Sequence, residues 1–500
     1  MDGSADSAEI VGKFANYFEQ NCKPFNIQRN EELKAEFTAL RANYCGSVIF
    51  DNKRFNTEQI SKLVSSLKCG KAAGLDELSS EHLKFCHPVV ICILTELFNL
   101  FLDTAHIPAS FAASYTVPIP KCDVHIRGLK LDDFRGISIS PVISKLFEMA
   151  LLEHFAEYFV TSDHQFGFKK QLGCRDAIYS VRNVIEHFVS NGSTVNICAL
   201  DLSKAFDRMN HYALFIKLMK RNLPCIILTI LEKWFSVYVT CVRWNGHVSH
   251  FFSLLVGVRQ GQVLSPLLFA ICIDDIVVKA KNANAGCYIS SIFCGIYLYA
   301  DDILLIAPTI TSLQVLIDVC EKEVASLDMQ INAKKSMCIR FGSRFDRQCA
   351  ELTTDRGDSI KWVDTCRYLG VHFVSGRVLR CDFHDAKCRF FRAFNAILSK
   401  VGRFASEQVV IRLLRTKCLP ILFYACEACP LLSRQIHSFD FSLTRTFMKL
   451  FRTGSAAIVQ ECQLQFGFLP VKSIAHKNCE ISAEICSIRK CFMFFICVHC

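Results

Sequence analysis

The sequence predicts an α+β fold, and three observations predict it. Ile296-Tyr297-Leu298 and Ile303-Leu304-Leu305-Ile306 are apolar runs broken by Asp301-Asp302, the pattern of a strand–turn–strand hairpin. Val195-Asn196-Ile197-Cys198-Ala199-Leu200 is an apolar strand that runs straight into Asp201. Between such strands lie long segments with apolar residues at three- and four-residue spacing, among them Ser79–Leu102 and Ser140–Tyr158, which read as helices.

Composition bounds the class. Five hundred residues exceed one compact domain, and 51% hydrophobic content is ample for a large core. The net charge of +10, from 57 Lys and Arg against 47 Asp and Glu, is compatible with a polyanionic partner without requiring one. The opening MDGSADSAEIVGKF has neither a basic region nor an apolar one, so no secretory signal is expected. The longest apolar stretch, Val89–Leu102, is interrupted by Thr95, Glu96 and Asn99 and is too short to span a bilayer. An intracellular protein without membrane attachment follows as the expectation. The 28 cysteines then read as reduced and mainly small core residues. Two C-x-x-C pairs, Cys426/Cys429 and Cys497/Cys500, lie far apart and outside any knuckle context, so zinc is not expected.

In chain order, residues 1–55 show helical patches at 10–18 and 31–40 and no expected chemistry. Thr57 is a candidate cap for a helix with Ile60, Leu63, Val64 and Leu67 on one face. Gly70–Asp76 is a Gly-flanked lysine loop that lacks the spacing of a P-loop. Tyr115–Lys121 reads as an extended strand guarded by Pro118 and Pro120. Arg127, Lys130 and Asp132-Asp133-Phe134-Arg135-Gly136 follow, so Lys121 and Arg135 could face one ligand from a β-hairpin; solvated surface charge is the alternative. Ser140-Pro141 is a helix start, and helices are expected over 176–189 and 207–221. Gly257-Val258-Arg259-Gln260-Gly261-Gln262-Val263-Leu264-Ser265-Pro266 is a Gly-rich loop opening a helix over 267–279, with Ser265 as cap. Ser312 is the expected cap of a helix carrying Leu313, Leu316, Cys320, Val324 and Leu327.

The carboxylates carry the chemistry. Asp-Asp is common in turns for local reasons, but adjacent like charges raise one another's pKa. An acid ending a buried strand is costly unless it is paired or bound to a metal. Asp201 and Asp301 together suggest a two-metal phosphoryl-transfer site, since Mg²⁺ prefers carboxylate and phosphate oxygens.

Taken together, Asp201-Leu202-Ser203-Lys204-Ala205-Phe206-Asp207, Arg259-Gln260-Gly261 with Leu264-Ser265-Pro266, and Tyr299-Ala300-Asp301-Asp302 resemble, in that order, the catalytic blocks of reverse transcriptases, and more narrowly those of non-LTR (LINE-type) retrotransposons. Leu67–Asp76, Ile119-Pro120-Lys121, Asp133–Ser138, Ile143–Glu148, His164–Phe168, Ile331–Ser336 and Arg367–Val371 match further blocks. The resemblance implies a right-hand polymerase fold: an extension over 1–56, fingers with the start of the palm over 57–194, palm over 195–375, helical thumb over 376–455, and a Cys-rich tail over 456–500. It implies an RNA-directed DNA polymerase using two Mg²⁺ ions, an RNA template, a DNA primer or target and dNTPs. Asp201 and Asp301, with the Leu202 carbonyl, resemble the metal ligands, and Asp302 the accompanying acid. Phe206 resembles the gate against a ribose 2′-hydroxyl. Lys121 and Arg135 match triphosphate-gripping positions, Gln260 and Gly261 the loop under the incoming nucleotide, and Lys335 a lysine near the leaving pyrophosphate. Arg259, Tyr299, Tyr368, Leu369 and Gly370 fall on the template and primer side. Basic residues between Lys387 and Lys417, Arg403 among them, suit a thumb tracking a duplex; a solvated helix face is the alternative.

Two departures are local: Gly136 stands where the family usually has Pro, and Gln262 where a small residue is common. Fewer than 60 residues precede the first block, so a preceding endonuclease is not expected in this chain, which reads as the polymerase portion or a truncated copy of a longer element. The rivals are a decayed copy that only binds nucleic acid and an intron-maturase-type enzyme.

Overall fold

The apolar strand Val195–Leu200 is the inner strand of a six-stranded sheet, antiparallel to Asp302–Ala307 on one side and to Met337–Phe341 on the other. Ile296–Tyr299 closes the edge beyond Asp302–Ala307, while Ser359–Trp362 and Leu352–Thr353 extend the opposite side. Val195, Ile197 and Cys198 are wholly buried, which is why the run lacks the alternation of a half-exposed strand. The computed structural model describes residues 6–48, 54–121, 129–402, 404–468 and 471. Arg127, Arg403, the Cys497/Cys500 pair and most of the 456–500 tail lie outside the described residues.

The chain divides into two units, each assembled from separated stretches: 1–162, 202–278 and 320–331 in the first, 163–201, 279–319 and 332–500 in the second. In the first, Ala113–Pro120 pairs antiparallel with Phe134–Ile139 and parallel with Val239–Trp244. The parallel ladder runs only from Ala113 to Thr116, so Pro118 and Pro120 lie past it and need no amide on that side. The helix Ser7–Asn21 lies on this sheet, with Phe14 edge-on to Phe134 at 5.1 Å and 5.4 Å from Trp244. Phe98, Phe101, Phe147 and Trp234 join the helices Val89–Thr104, Val142–His154 and Cys225–Ser236.

In the second unit, helix Cys174–Ser190 buries Ala177, Ile178, Val181, Val184 and Ile185 along one stripe. Thr365–Tyr368, Val371–Val374 and Arg380–Asp382 form a three-stranded sheet. His384–Val401, Glu407–Leu413 and Ser433–Phe451 follow as helices around Phe390, Phe439 and Phe447.

Several boundaries differ from expectation. Asn56, not Thr57, caps Thr57–Ser66, in a reciprocal pair with Gln59. The helix expected over Ser79–Leu102 breaks into Ser80–Lys84 and Val89–Thr104, because Pro88 cannot continue the first one. Pro141 rather than Ser140 precedes Val142–His154, and Leu264 rather than Ser265 precedes Ser265–Ile273. The 267–279 and 207–221 helices are each split, into Ser265–Ile273 with Asp275–Asn282 and Ala205–Arg208 with His211–Lys220. The Thr309 hydroxyl, not Ser312, accepts the amide at the start of Ile310–Ser326. Among the described residues all 22 cysteines are free thiols, and twelve are buried. Among the same residues no helix is long and apolar enough to cross a membrane.

Candidate active site

Strand geometry brings the acids of the second unit together. Leu200 pairs with Ile303, so one step further along the same register Asp201 and Asp302 fall opposite each other at one end of neighbouring strands. Tyr299 pairs with Asp302, leaving Ala300 and Asp301 as a two-residue turn. Asp301 is half-buried and Asp302 exposed. The Asp201 backbone is pinned on both sides: its amide donates to the Ser336 hydroxyl at 3.1 Å and its carbonyl accepts from the Asn332 amide at 2.8 Å. The Ser336 hydroxyl itself donates to the Asn332 carbonyl at 2.8 Å, which closes the support. Lys334 and Lys335 are exposed on this same segment. Leu202 is buried and bridges to Ile331 within the first unit.

The Tyr299 hydroxyl meets the Cys174 thiol, and burial raises its pKa. Tyr368 is buried and packs toward Phe373 at 6.0 Å, whereas Leu369 and Gly370 form the partly exposed tip of a tight hairpin. Both tip residues have positive φ, 43° and 84°, which a type I′ turn demands and Gly supplies freely. The Tyr424 hydroxyl donates to the Leu369 carbonyl at 2.9 Å, and a Cβ on Gly370 would lie 3.1 Å from the Tyr424 ring.

The first unit gathers a second set. Ile119 pairs with Arg135, which puts Lys121 and Arg135 on one face of their hairpin. Burial raises the pKa of the Asp207 carboxyl, against the Gln260 amide 3.0 Å away and the cations Lys204, Lys121 and Arg135. The loop carrying Gln260 lies flat on this region. The Val258 amide donates to the Phe206 carbonyl at 2.8 Å, and the Ser138 amide to the Gln260 carbonyl at 2.7 Å. Gly261 has φ of 118°, and a Cβ there would stand 2.6 Å from the Ser138 carbonyl oxygen. The Phe206 ring stacks on Phe269 at 4.6 Å. A hollow lined by Phe18, Asn21, Thr116, Gly136, Asp207 and Gln260 opens here.

Arg259, expected beside template or primer, is instead 1% exposed. Its guanidinium donates to the Ala112 and Val239 carbonyls and lies 4.0 Å from the Tyr238 ring centre. Next to it, Glu148 accepts the Val263 and Leu264 amides at 2.7 and 2.8 Å, fixing the far end of the loop. Burial pushes the Glu148 carboxyl up to about 7, against the two amides, Arg259 and Lys145. Its stabilising share is therefore full below its unfolded value of 4.5 and lost as pH rises through about 7. His211, whose Nε2 donates to the Gly257 carbonyl at 2.7 Å, is depressed by burial to about 4 and runs the other way, losing stability as pH falls through that value. Glu148→Gln isolates the first effect. Between about pH 5 and about pH 8, thermal unfolding should show wild type losing roughly 2–3 kcal/mol relative to the variant. A difference independent of pH would mean that Glu148 ionises normally.

A profile described as "Reverse transcriptase (RNA-dependent DNA polymerase)" matches residues 119–373, just over half of the chain. This chain belongs to the reverse transcriptase family. The Pol polyprotein of the type-2 retrotransposable element R2DM of Drosophila melanogaster is 26% identical over 297 residues, covering 58% of this chain and 28% of that protein. The RNA-directed DNA polymerase of the mobile element jockey of Drosophila funebris is 25% identical over 450 residues, covering 86% and 47%. The chain thus spans less than half the length of these curated relatives. Among solved structures, apo telomerase from Candida tropicalis, truncated from its C-terminal domain, matches with a TM-score of 0.38 at 15% identity, covering 58% of this chain and 60% of that one.

Reverse transcriptases work with divalent metal ions, and the donors present are hard carboxylate oxygens on Asp201, Asp301 and Asp302. Among the described residues no group of three His, Cys, Asp or Glu side chains is placed to hold a metal ion. Three features of this family member were not anticipated. Asp207 stood in the quoted motif, but only the fold shows its contact with Gln260. Lys204 donates to Asn21 at 2.8 Å and sits 4.5 Å over the Tyr17 ring. The helix Ser7–Asn21, read as carrying no chemistry, walls the hollow through Phe18 and Asn21, and nothing local in its sequence signals that.

Proposed function

We propose that this chain is an RNA-directed DNA polymerase of a non-LTR retrotransposon, copying RNA into DNA by extending a primer with deoxynucleotides. The observation that carries the reading is the placing of Asp201, Asp301 and Asp302 at one end of neighbouring antiparallel strands inside the family-matched region. Fingers with the start of the palm, the rest of the palm and the thumb would then correspond to 57–194, 195–375 and 376–455. Asp201 and Asp301, with the Leu202 carbonyl, would hold two Mg²⁺ ions, which when bound neutralise phosphate charge and lower the pKa of the attacking hydroxyl. Lys121 and Arg135 grip the triphosphate, and Gln260 with Gly261 supports the nucleotide. Asp302 adds negative charge to the metal-binding end, and Lys335 supplies a proton to the leaving pyrophosphate. Leu369 and Gly370 steady the primer end. The protein works inside the cell with its RNA.

The test is primer extension on an RNA template with dNTPs and Mg²⁺. Extension that stops on chelation supports the reading. A folded protein that binds the RNA and extends nothing would instead be a nucleic-acid-binding protein. Phe206→Ala tests the sugar gate: its ring is the edge that a 2′-hydroxyl would meet, and removing it is expected to raise ribonucleotide incorporation at least about tenfold, near 1.4 kcal/mol of discrimination. Unchanged sugar preference would reduce Phe206 to its stacking on Phe269.

A further inference from the structure

We propose that Gln165 is a positioning residue for Asp301, an inference that rests on the polymerase reading above. The segment His164–Gly167 runs beside the hairpin strand Ile296–Tyr299 as an added strand. The Leu298 amide donates to the His164 carbonyl and the Phe166 amide to the Leu298 carbonyl, both at 2.8 Å. Gln165 bridges Leu298 in parallel, and the Phe166 ring stacks on Tyr297 at 5.9 Å.

From that platform the fully buried Gln165 side chain reaches the turn. Its amide oxygen accepts from the Gly167 amide at 2.9 Å and from the Ala300 amide at 3.1 Å. Two backbone donors converge on this one atom, so the oxygen and not the nitrogen must face them. Ala300 holds φ of 55°, at the place where tight hairpins usually put Gly, and is 5% exposed. An Ala in that conformation is strained and stays there only if its surroundings hold it. Gly167 completes the clamp, since a Cβ on it would lie 2.5 Å from the Ala300 nitrogen. Asp301 follows Ala300 directly, so the tilt of this one peptide sets where its carboxylate points. A misplacement of about 1 Å costs on the order of a hundredfold in rate.

Three variants test this, read by primer extension, RNA affinity, thermal unfolding and amide hydrogen exchange of the peptide containing Ala300. Gln165→Leu removes the acceptor at similar volume. It is expected to cut kcat at least about tenfold, leave KM for dNTP and RNA affinity within about twofold, and speed exchange at Ala300. Gln165→Glu keeps an acceptor oxygen and should recover most of the rate. Gly167→Ala crowds the same amide and should repeat the signature of Gln165→Leu. Wild-type kcat in Gln165→Leu, or equal losses in the Leu and Glu variants, overturns the proposal. If Gln165→Leu does not fold, Gly167→Ala decides, and an unchanged kcat there overturns it. If wild type extends no primer, the polymerase reading fails, while unaltered exchange at Ala300 in a folded variant still sinks the clamp by itself.

Discussion

Asp301→Asn is expected to abolish primer extension, by at least about a thousandfold or roughly 4 kcal/mol of transition-state stabilisation, and to leave the fold intact. Asn keeps the shape of the turn residue and removes only its charge. Asp301 is half-buried beside the exposed Asp302, and the register sets Asp201 opposite that pair. Because the substitution is isosteric at a turn position, thermal stability is expected to stay near the wild-type value. Loss of extension with an unmoved thermal transition therefore separates a metal ligand from a structural acid. Mg²⁺-dependent extension retained near the wild-type rate would remove Asp301 from the chemistry.

Arg259→Met destabilises the protein by about 3–5 kcal/mol, the largest stability effect expected of any single loop residue here. The guanidinium satisfies the Ala112 and Val239 carbonyls, covers the Tyr238 ring and, with Lys145, offsets the cost of burying the Glu148 carboxylate. Met replaces its volume but none of those interactions. The urea midpoint should fall, while RNA affinity, measured where the variant is still folded, stays within about twofold. The opposite pattern, weakened RNA binding with unchanged stability, would restore the template contact that the sequence suggested for this residue.

The contrast between Asp301 and Arg259 marks what could be read in advance. The hairpin and the strand before Asp201 were legible because each is a local pattern: apolar runs bounded by acids, with no competing periodicity. The helix stripes were legible for the same reason, and only their ends moved. A cap is decided by which side-chain oxygen meets the third amide, and Asn56 and Thr309 won that geometry over Thr57 and Ser312. Arg259 and Tyr368 were not legible, because charge and hydroxyl suggest a surface while partners far along the chain take them inside, the Ala112 carbonyl for Arg259 and a core that includes Tyr297 for Tyr368. Gln165 lies within the His164–Phe168 block, but a neutral amide gives no sign that it serves an amide 135 residues away.

The Val195–Leu200 strand has a consequence for how the protein is made. Its sheet partners, Asp302–Ala307 and Met337–Phe341, leave the ribosome only after about a hundred or more further residues. At 5–20 residues per second, a largely apolar strand with both edges unpaired waits for roughly 5–30 seconds. Neither unit can close earlier, because the first needs residues up to 331 and the second begins its final stretch at 332. The nascent chain should therefore depend on a holding chaperone until that stretch emerges, and heterologous yield should respond to translation speed and chaperone supply more than to any surface substitution.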